Sequence, residues 1–397
     1  MSHPLIDRND DLARLRNDGY NLSIVSAHLI VRDIPYVTAE RMVKYDGVLV
    51  CPLNMSGEIA NPPKDDHTVR FCGEFPCTSD GVRIDAIHAG SEIVRYSDAL
   101  TAQHRFSSKP RRGYYESYHE KIRTYAAILS GHACVIDASA TAQTRRVVVP
   151  EEDDSPFQYL DTASGRAEIS MITQKLAVEQ IAIVGVGGTG GYILDLLAKT
   201  PIKEIHLFDG DTFASHNAFR APGAASIDDL HKQQLKVDYF KGIYSKMHKG
   251  IVAHGMNVDG TNVEMLRGMT SVFLCLDASP EKKFIVGKLE EFGVVFIDTG
   301  MGLYATNETL GGILRVTTSD ATNQDVARAR MSFATNDEPN EYDKNIQVAD
   351  LNALNATLAV IRWKKLRGFY FDFKRERFTS YTIGGNLLLN EDLHEQD

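Results

Sequence analysis

The spacing of apolar positions divides the chain into two unlike halves. In the second half, short apolar runs alternate with stretches of helical period. Ile181–Gly185 (IAIVG) reads as a strand closed by glycine, and Tyr192–Lys199 (YILDLLAK) continues as a helix. Glu204–Asp209 (EIHLFD) gives a second strand, a helix is expected over about 229–247, and Ile251–Asn257 gives a third strand. Ser271–Asp277 (SVFLCLD) reads as a fourth strand, a helix lies near 280–292, and Val294–Asp298 (VVFID) reads as a fifth. Alternation of this kind predicts an α/β fold with a doubly wound, mostly parallel sheet. Leu310–Thr318 (LGGILRVTT) predicts an antiparallel extension, and 347–367 a long helix that Gly368 would cap. The first half is less regular. It predicts a short helix at 9–17, strands at 23–32, 47–53 and 67–75, and a helix at 113–132, where aromatic and aliphatic residues recur at helical spacing.

The acidic stretch Glu151–Pro156 (EEDDSP) interrupts both patterns. It predicts an α+β domain at 1–150, a linker at 151–170 and an α/β domain at 171–397. A chain of 397 residues, 43% hydrophobic, can bury two cores. The net charge of −10, from 43 basic and 53 acidic residues, disfavours a nucleic-acid partner held through phosphates. Five cysteines at irregular spacing, with no CxxC pair, point to a reduced, cytoplasmic setting and away from a four-thiolate zinc site. The opening residues MSHPLIDRNDDLARLR are charged and predict no secretory leader. No apolar run reaches the ~18 residues that a membrane-spanning helix needs.

Candidate chemistry begins at Gly185-Val-Gly187-Gly188-Thr-Gly190-Gly191, which joins a strand to a helix. Glycines there allow a tight turn and bring backbone N–H groups close to phosphate, while the helix N-terminus adds its positive end. Asp209 closes the next strand, 24 residues after Gly185, where a carboxylate can accept both ribose hydroxyl protons. These features alone describe a Rossmann-like site and favour a nicotinamide-dependent dehydrogenase.

The residues that follow favour another chemistry. The chain reads FDGDTFASHNAFRAPG, with Asp209, Asp211, Asn217 and Arg220, then Lys236 in a helix and Asp277 after the fourth strand. Taken singly, each is as easily a turn residue or solvated surface charge. In this order they resemble the ThiF/MoeB/ubiquitin-activating superfamily over roughly 180–300, and the helix at 347–367 resembles that family's closing helix. The resemblance implies ATP-dependent adenylation of a carboxylate with release of pyrophosphate. Arg220 and Lys236 would grip the triphosphate beside Asn217, Asp209 would bind ribose, and Asp277 would hold Mg²⁺. Charge shifts between phosphate oxygens during such a transfer, so fixed cations have the most to contribute.

The resemblance further implies a ubiquitin-like carrier ending in glycine as substrate and a homodimer as the assembly. A bacterial ubiquitin-like conjugation system would suit the extra N-terminal domain, with a conjugating-enzyme-like protein as a second candidate partner. Arg166 reads as surface charge. Many relatives carry a thioester-forming cysteine after the adenylation core, but no cysteine follows Cys275 here. Cys275 reads as a core thiol; Cys72 and Cys77 are the N-terminal thiols open to an acceptor role, though they too read more simply as core thiols. Thr318, Ser319 and Ser332 offer hydroxyls with no evident activator. The expectation is therefore an enzyme that makes the acyl-adenylate and passes it to another protein's thiol. The alternatives are adenylation of a small-molecule or tRNA-bound carboxylate, and a catalytically silent scaffold. His67 and His216 have no second ligand at metal spacing.

Overall fold

The computed structural model describes residues 4–146, 155–167, 169–333 and 346–391; residues 151–154 of the acidic stretch and the side chain of Arg166 lie outside this set. The chain forms two compact units, one of Met1–Asp154 with Tyr159–Ile172, the other of Ser155–Gln158 with Thr173–Asp397.

In the first unit a one-turn helix, Pro4–Asp7, precedes helix α1, Asp10–Asp18, which stops where Gly19 turns left-handed at φ 100°. Besides a small ribbon of Met55–Ser56 and Ile59–Ala60, six strands follow: β1 Asn21–Val25, β2 His28–Val37, β3 Val43–Pro52, β4 Thr68–Cys72, β5 His88–Ser97 and β6 Leu100–Ser107. They form an antiparallel sheet in the order β1-β2-β3-β4-β6-β5. The segment 23–32, expected as one strand, is a hairpin. Its turn sits at Ser26 and Ala27, both with positive φ (48° and 59°), so the chain reverses without glycine. Helix α2, Tyr118–Ile136, begins where the Ser117 side chain accepts from Glu120 N–H. Its face of Tyr118, Ile122, Tyr125 and Leu129 packs with Leu29, Leu49, Phe71 and Phe106 of the sheet. At about 1.5–3 kcal/mol for each large apolar side chain fully buried, this seam is the main support of the unit.

The second unit contains β7 Gln180–Val184, helix α3 Gly188–Leu197, β8 Glu204–Phe208, helix α4 Ile227–His231, helix α5 Lys236–Tyr244 and β9 Ile251–His254. It continues with β10 Ser271–Leu274, helix α6 Pro280–Phe292, β11 Phe296–Thr306, β12 Thr309–Ser319, helix α7 Ala349–Leu366, β13 Phe378–Thr382 and β14 Leu387–Glu391. The strands stand in the order β9-β8-β7-β10-β11-β12-β13-β14. The first five are parallel and the last three antiparallel, so the expected α/β fold with an antiparallel extension is present. Both faces of the sheet are covered. On β7, Ile181 and Ile183 pack with Leu194, Phe240 and Trp363, while Ala182 and Val184 pack with Val272, Ile285 and Leu289. That two-sided burial is why IAIVG is apolar at every position before its glycine.

Several boundaries differ from expectation; β9 stops at His254, short of Asn257, and β11 runs on past Asp298 to Thr306. Helix α3 starts at Gly188, inside the glycine run, not at Tyr192. The helix expected over 229–247 is broken into α4 and α5, with Gln233 at φ 47° in the gap. Strand β10 ends at Leu274, which leaves Asp277 in the loop before α6. Among the described residues, no helix is long and apolar enough to cross a membrane.

A buried histidine gives this unit a pH dependence. His248 is fully buried; its Nε2 lies 2.8 Å from the Ile202 carbonyl, and its Nδ1 accepts from Gly250 N–H at 3.1 Å. These partners assign the neutral ring with the proton on Nε2. Burial lowers the pKa of His248 below the usual 6.5. The unfolded chain then binds the proton more tightly, so stability is fullest above about 6.5 and falls as pH drops through the folded pKa. Melting curves followed through Trp363, the single tryptophan, should show wild type losing more Tm between neutral and mildly acidic pH than His248→Gln does.

Candidate functional site

In a sheet ordered 3-2-1-4-5, the crevice opens where neighbouring strands lead to helices on opposite faces, here between the C-terminal ends of β7 and β10. The glycine loop leaves β7 at Gly185, whose N–H donates to the Phe208 carbonyl at 2.8 Å. Gly185 has φ +87°, and a Cβ there would lie 2.6 Å from the Cys275 carbonyl oxygen. Gly190 is tighter still, since its Cβ would lie 1.9 Å from the Gly185 carbonyl oxygen. The loop thus folds back on itself and stacks against the chain leaving β10. A Gly190→Ala substitution meets backbone on one side and the α3 axis on the other. It should cost at least about 2 kcal/mol and weaken nucleotide binding beyond detection; thermal melts with and without ATP would check both effects.

Asp209, at the end of β8, braces the loop. Its Oδ2 accepts from Val186 N–H at 2.9 Å, and its Oδ1 accepts from Asp211 N–H at 2.9 Å. Lys236 opens helix α5, with its N–H donating to the Asp211 carbonyl at 2.9 Å. Lys236 Nζ lies 2.6 Å from Asp211 Oδ2 and 3.4 Å from Asp209 Oδ1, so the expected DxD pair and lysine form one ion-paired group. The break between α4 and α5 is what allows this, because a continuous helix would not let Leu235 bridge Thr212.

Asn217 and Arg220 follow on the next turn. Asn217 is 2% exposed. Its Oδ1 accepts from Ala214 N–H at 2.9 Å, but its Nδ2 is buried without a partner. The Nε of Arg220 is likewise buried and unpartnered. Buried polar groups are nearly always satisfied, so each of these two donors is open to a ligand's acceptor. They are aligned by a residue that sequence reasoning missed. Asn352 on α7 accepts from Thr189 Oγ1 at 2.8 Å and donates to the Arg220 carbonyl at 3.4 Å. It also fills the space beside Gly188, where a Cβ would lie 2.2 Å from its Nδ2. Asn352 thereby ties the glycine loop to the arginine turn. Only the asparagine-rich start of a helix already expected could have hinted at it.

Gly187 faces open space. Asp277 is exposed in the loop after β10, whose first residue touches Gly185. His216 is exposed beside Asn217, and His67 is half-buried in the other unit. Among the described residues no cluster of three or more His, Cys, Asp or Glu could hold a metal by itself.

The thiols and hydroxyls considered as acyl acceptors are mostly inaccessible. Burial pushes the Cys275 and Cys72 thiols up to about 12, and Cys77 upward as well. Thr318 and Ser319 are buried in β12, and Ser332 accepts from Arg315 at 2.5 Å.

A doubly wound sheet with a glycine loop at its switch point defines a Rossmann-like α/β domain. Residues 163–360 match the ThiF family, and this part of the chain is a ThiF family domain. Residues 10–162 match a domain of unknown function, DUF6791. No curated protein matches the chain. Among solved structures, E. coli MccB with ATP is 17% identical at a TM-score of 0.44, covering 77% of this chain and 96% of that one. E. coli MccB with selenomethionine MccA is 16% identical at 0.45, covering 77% and 96%. Selenomethionine PaaA is 17% identical at 0.42, covering 56% and 75%.

Proposed function

We propose that the ThiF family domain binds ATP and adenylates a carboxylate, releasing pyrophosphate. The observation that carries this reading is the pair of buried, unpartnered donors, Asn217 Nδ2 and Arg220 Nε, on a turn tied to the glycine loop through Asn352. Donors left unmade in the free protein suit a ligand rich in acceptor oxygens. The backbone N–H groups at the start of α3 add to the same positive field. In the reaction a carboxylate oxygen bonds to the α-phosphorus as the bond from that phosphorus to the bridging oxygen of the β-phosphate breaks. The products are an acyl-adenylate and pyrophosphate, and no proton need move. Arg220 and Asn217 hold the phosphates and meet the charge that develops on the leaving pyrophosphate. Lys236 adds a cation held in place by Asp209 and Asp211, and Asp209 keeps the loop closed around the ribose end.

An exposed carboxylate fits Mg²⁺ when phosphates and water complete the shell. Asp277 would be that ligand, and the ion would neutralise charge on the phosphate oxygens. The substrate proposed is the C-terminal glycine carboxylate of a ubiquitin-like carrier, and the assembly a homodimer in the cytoplasm. With Cys275 half-buried, its thiol pushed up by burial, and no cysteine after it, the acyl group would pass to a thiol on another protein, such as a conjugating-enzyme-like partner.

ATP–pyrophosphate exchange tests the reading. Exchange that requires a carrier with an intact terminal glycine is the expected result. Exchange with a free small acid would replace the carrier with a small-molecule substrate. Nucleotide binding without exchange for any carrier would leave a scaffold.

A further inference from the structure

The N-terminal unit contains a groove of about 540 Å³ between α1, the outward side of α2 and the segment 140–143. That is the size of a small-ligand site. Four alanines line it, Ala126, Ala127, Ala140 and Ala142, and they leave room for a slender aliphatic body. Arg14 on α1 and Arg123 on α2 border it, and neither guanidinium has an ion pair among the described residues. The nearby carboxylates are already engaged. Asp18 Oδ2 lies 2.8 Å from His119 Nε2, while Glu120 is bound by Arg112 and accepts from Glu116 N–H at 3.0 Å. Neither carboxylate is paired with Arg14 or Arg123.

A second observation comes from Ser130, also in the lining. It is 9% exposed, and its Oγ has no partner. A serine inside a helix ordinarily donates to the carbonyl one turn back. Here it does not, which leaves a buried hydroxyl with an unused proton on a residue that lines a groove bordered by cations.

We infer that this groove is a binding site for a singly charged carboxylate carried on a short aliphatic or peptide body. The guanidinium forks match carboxylate geometry. Ser130 Oγ would donate to the same anion or to the amide behind it, and the alanines would receive the chain. A doubly charged phosphate suits the groove less well, because Asp18 and Glu120 stand beside it and would repel a second charge. The inference does not depend on the adenylation reading, which concerns other residues in the other unit.

Cys134 supplies the test. It is the only exposed cysteine of the five, lines the groove, and donates its thiol hydrogen to the Ala140 carbonyl at 2.8 Å. The rate at which a maleimide labels Cys134 would be measured in the full chain with four additives: hexanoate, N-acetyl-Ala-Ala-Gly-Gly acid, the same peptide as its C-terminal amide, and inorganic phosphate. A carboxylate ligand should slow labelling by about tenfold at about nine times its Kd, and the amide should not. Protection by the peptide acid alone supports the site with a peptide as source, and protection by hexanoate as well supports it with a free acid as sufficient. The inference is overturned if neither carboxylate protects, if the amide protects equally, or if phosphate is the stronger protector. It is also overturned if an Arg14→Gln, Arg123→Gln double variant is still protected. Both arginines are exposed, so that variant should fold, and a melting curve would verify it. No step of the assay uses ATP, so failure of the adenylation reading would leave this result unaffected.

Discussion

Asp277→Ala is expected to lower the ATP–pyrophosphate exchange rate by about 10²–10³-fold, the usual loss when one preorganised charge at a phosphoryl-transfer site is removed. Three features make the effect separable from folding. Asp277 is exposed, it lies beyond the last hydrogen-bonded residue of β10, and helix α6 is capped by Ser279 and not by Asp277. Surface substitutions of this kind usually change stability by less than about 0.5 kcal/mol. ATP should still bind, more weakly, because the glycine loop and the Asn217–Arg220 turn remain. An exchange rate within a few fold of wild type would remove Asp277 from the machinery and with it the proposed Mg²⁺ site.

The largest effect on stability is expected from a pair behind the site. Lys282 on α6 lies with its Nζ 2.7 Å from Asp298 Oδ1 on β11, and the two side chains are only 2% and 5% exposed. Removing one member of so buried a pair strands the other charge, at a cost of about 3–5 kcal/mol. Lys282→Met should accordingly lower Tm by on the order of 10 °C. A compensating Asp298→Leu in the same chain should restore much of it, because the double variant leaves no isolated charge. The loss should also depend on pH. Burial already pushes the Asp298 carboxyl up against the pull of Lys282, and without the lysine it rises further. A carboxyl whose folded pKa is raised holds its proton more tightly in the native state. Stability of the variant therefore falls as pH rises from about 4 towards neutrality. Urea melts at acid and neutral pH, read through Trp363, would show whether the deficit grows in that direction. An equal deficit at both values would mean that Asp298 is not the stranded group.

The glycine loop, the strand ends and the order Asp–Asn–Arg–Lys–Asp could be read from the sequence because each rests on local chemistry. What could not be read depends on contacts distant in sequence. Gly188 enters a helix despite a poor propensity because Asn352, from α7, occupies the space a side chain would need. The break between α4 and α5 contains neither glycine nor proline; Gln233 adopts φ 47° where Leu235 bridges Thr212. Ser26 and Ala27 make a two-residue turn without the usual Asn-Gly signal. Periodicity also merged Asp277 into the preceding strand, since Cys275 and Leu276 continue its apolar run, although the last bond to the neighbouring strand is the one Cys275 N–H donates to the Val184 carbonyl. The groove of the first unit escaped notice for a related reason: Arg14, Arg123 and Ser130 are commonplace residues until α1 and α2 lie side by side.

The central claim is that a carboxylate attacks the α-phosphorus of ATP. It is tested most directly by supplying a carrier whose terminal carboxylate is labelled with ¹⁸O and examining the nucleotide product by mass spectrometry. Attack at the α-phosphorus makes AMP that carries one labelled oxygen from the carboxylate, together with unlabelled pyrophosphate. Formation of ADP, or of AMP without label, would contradict the account.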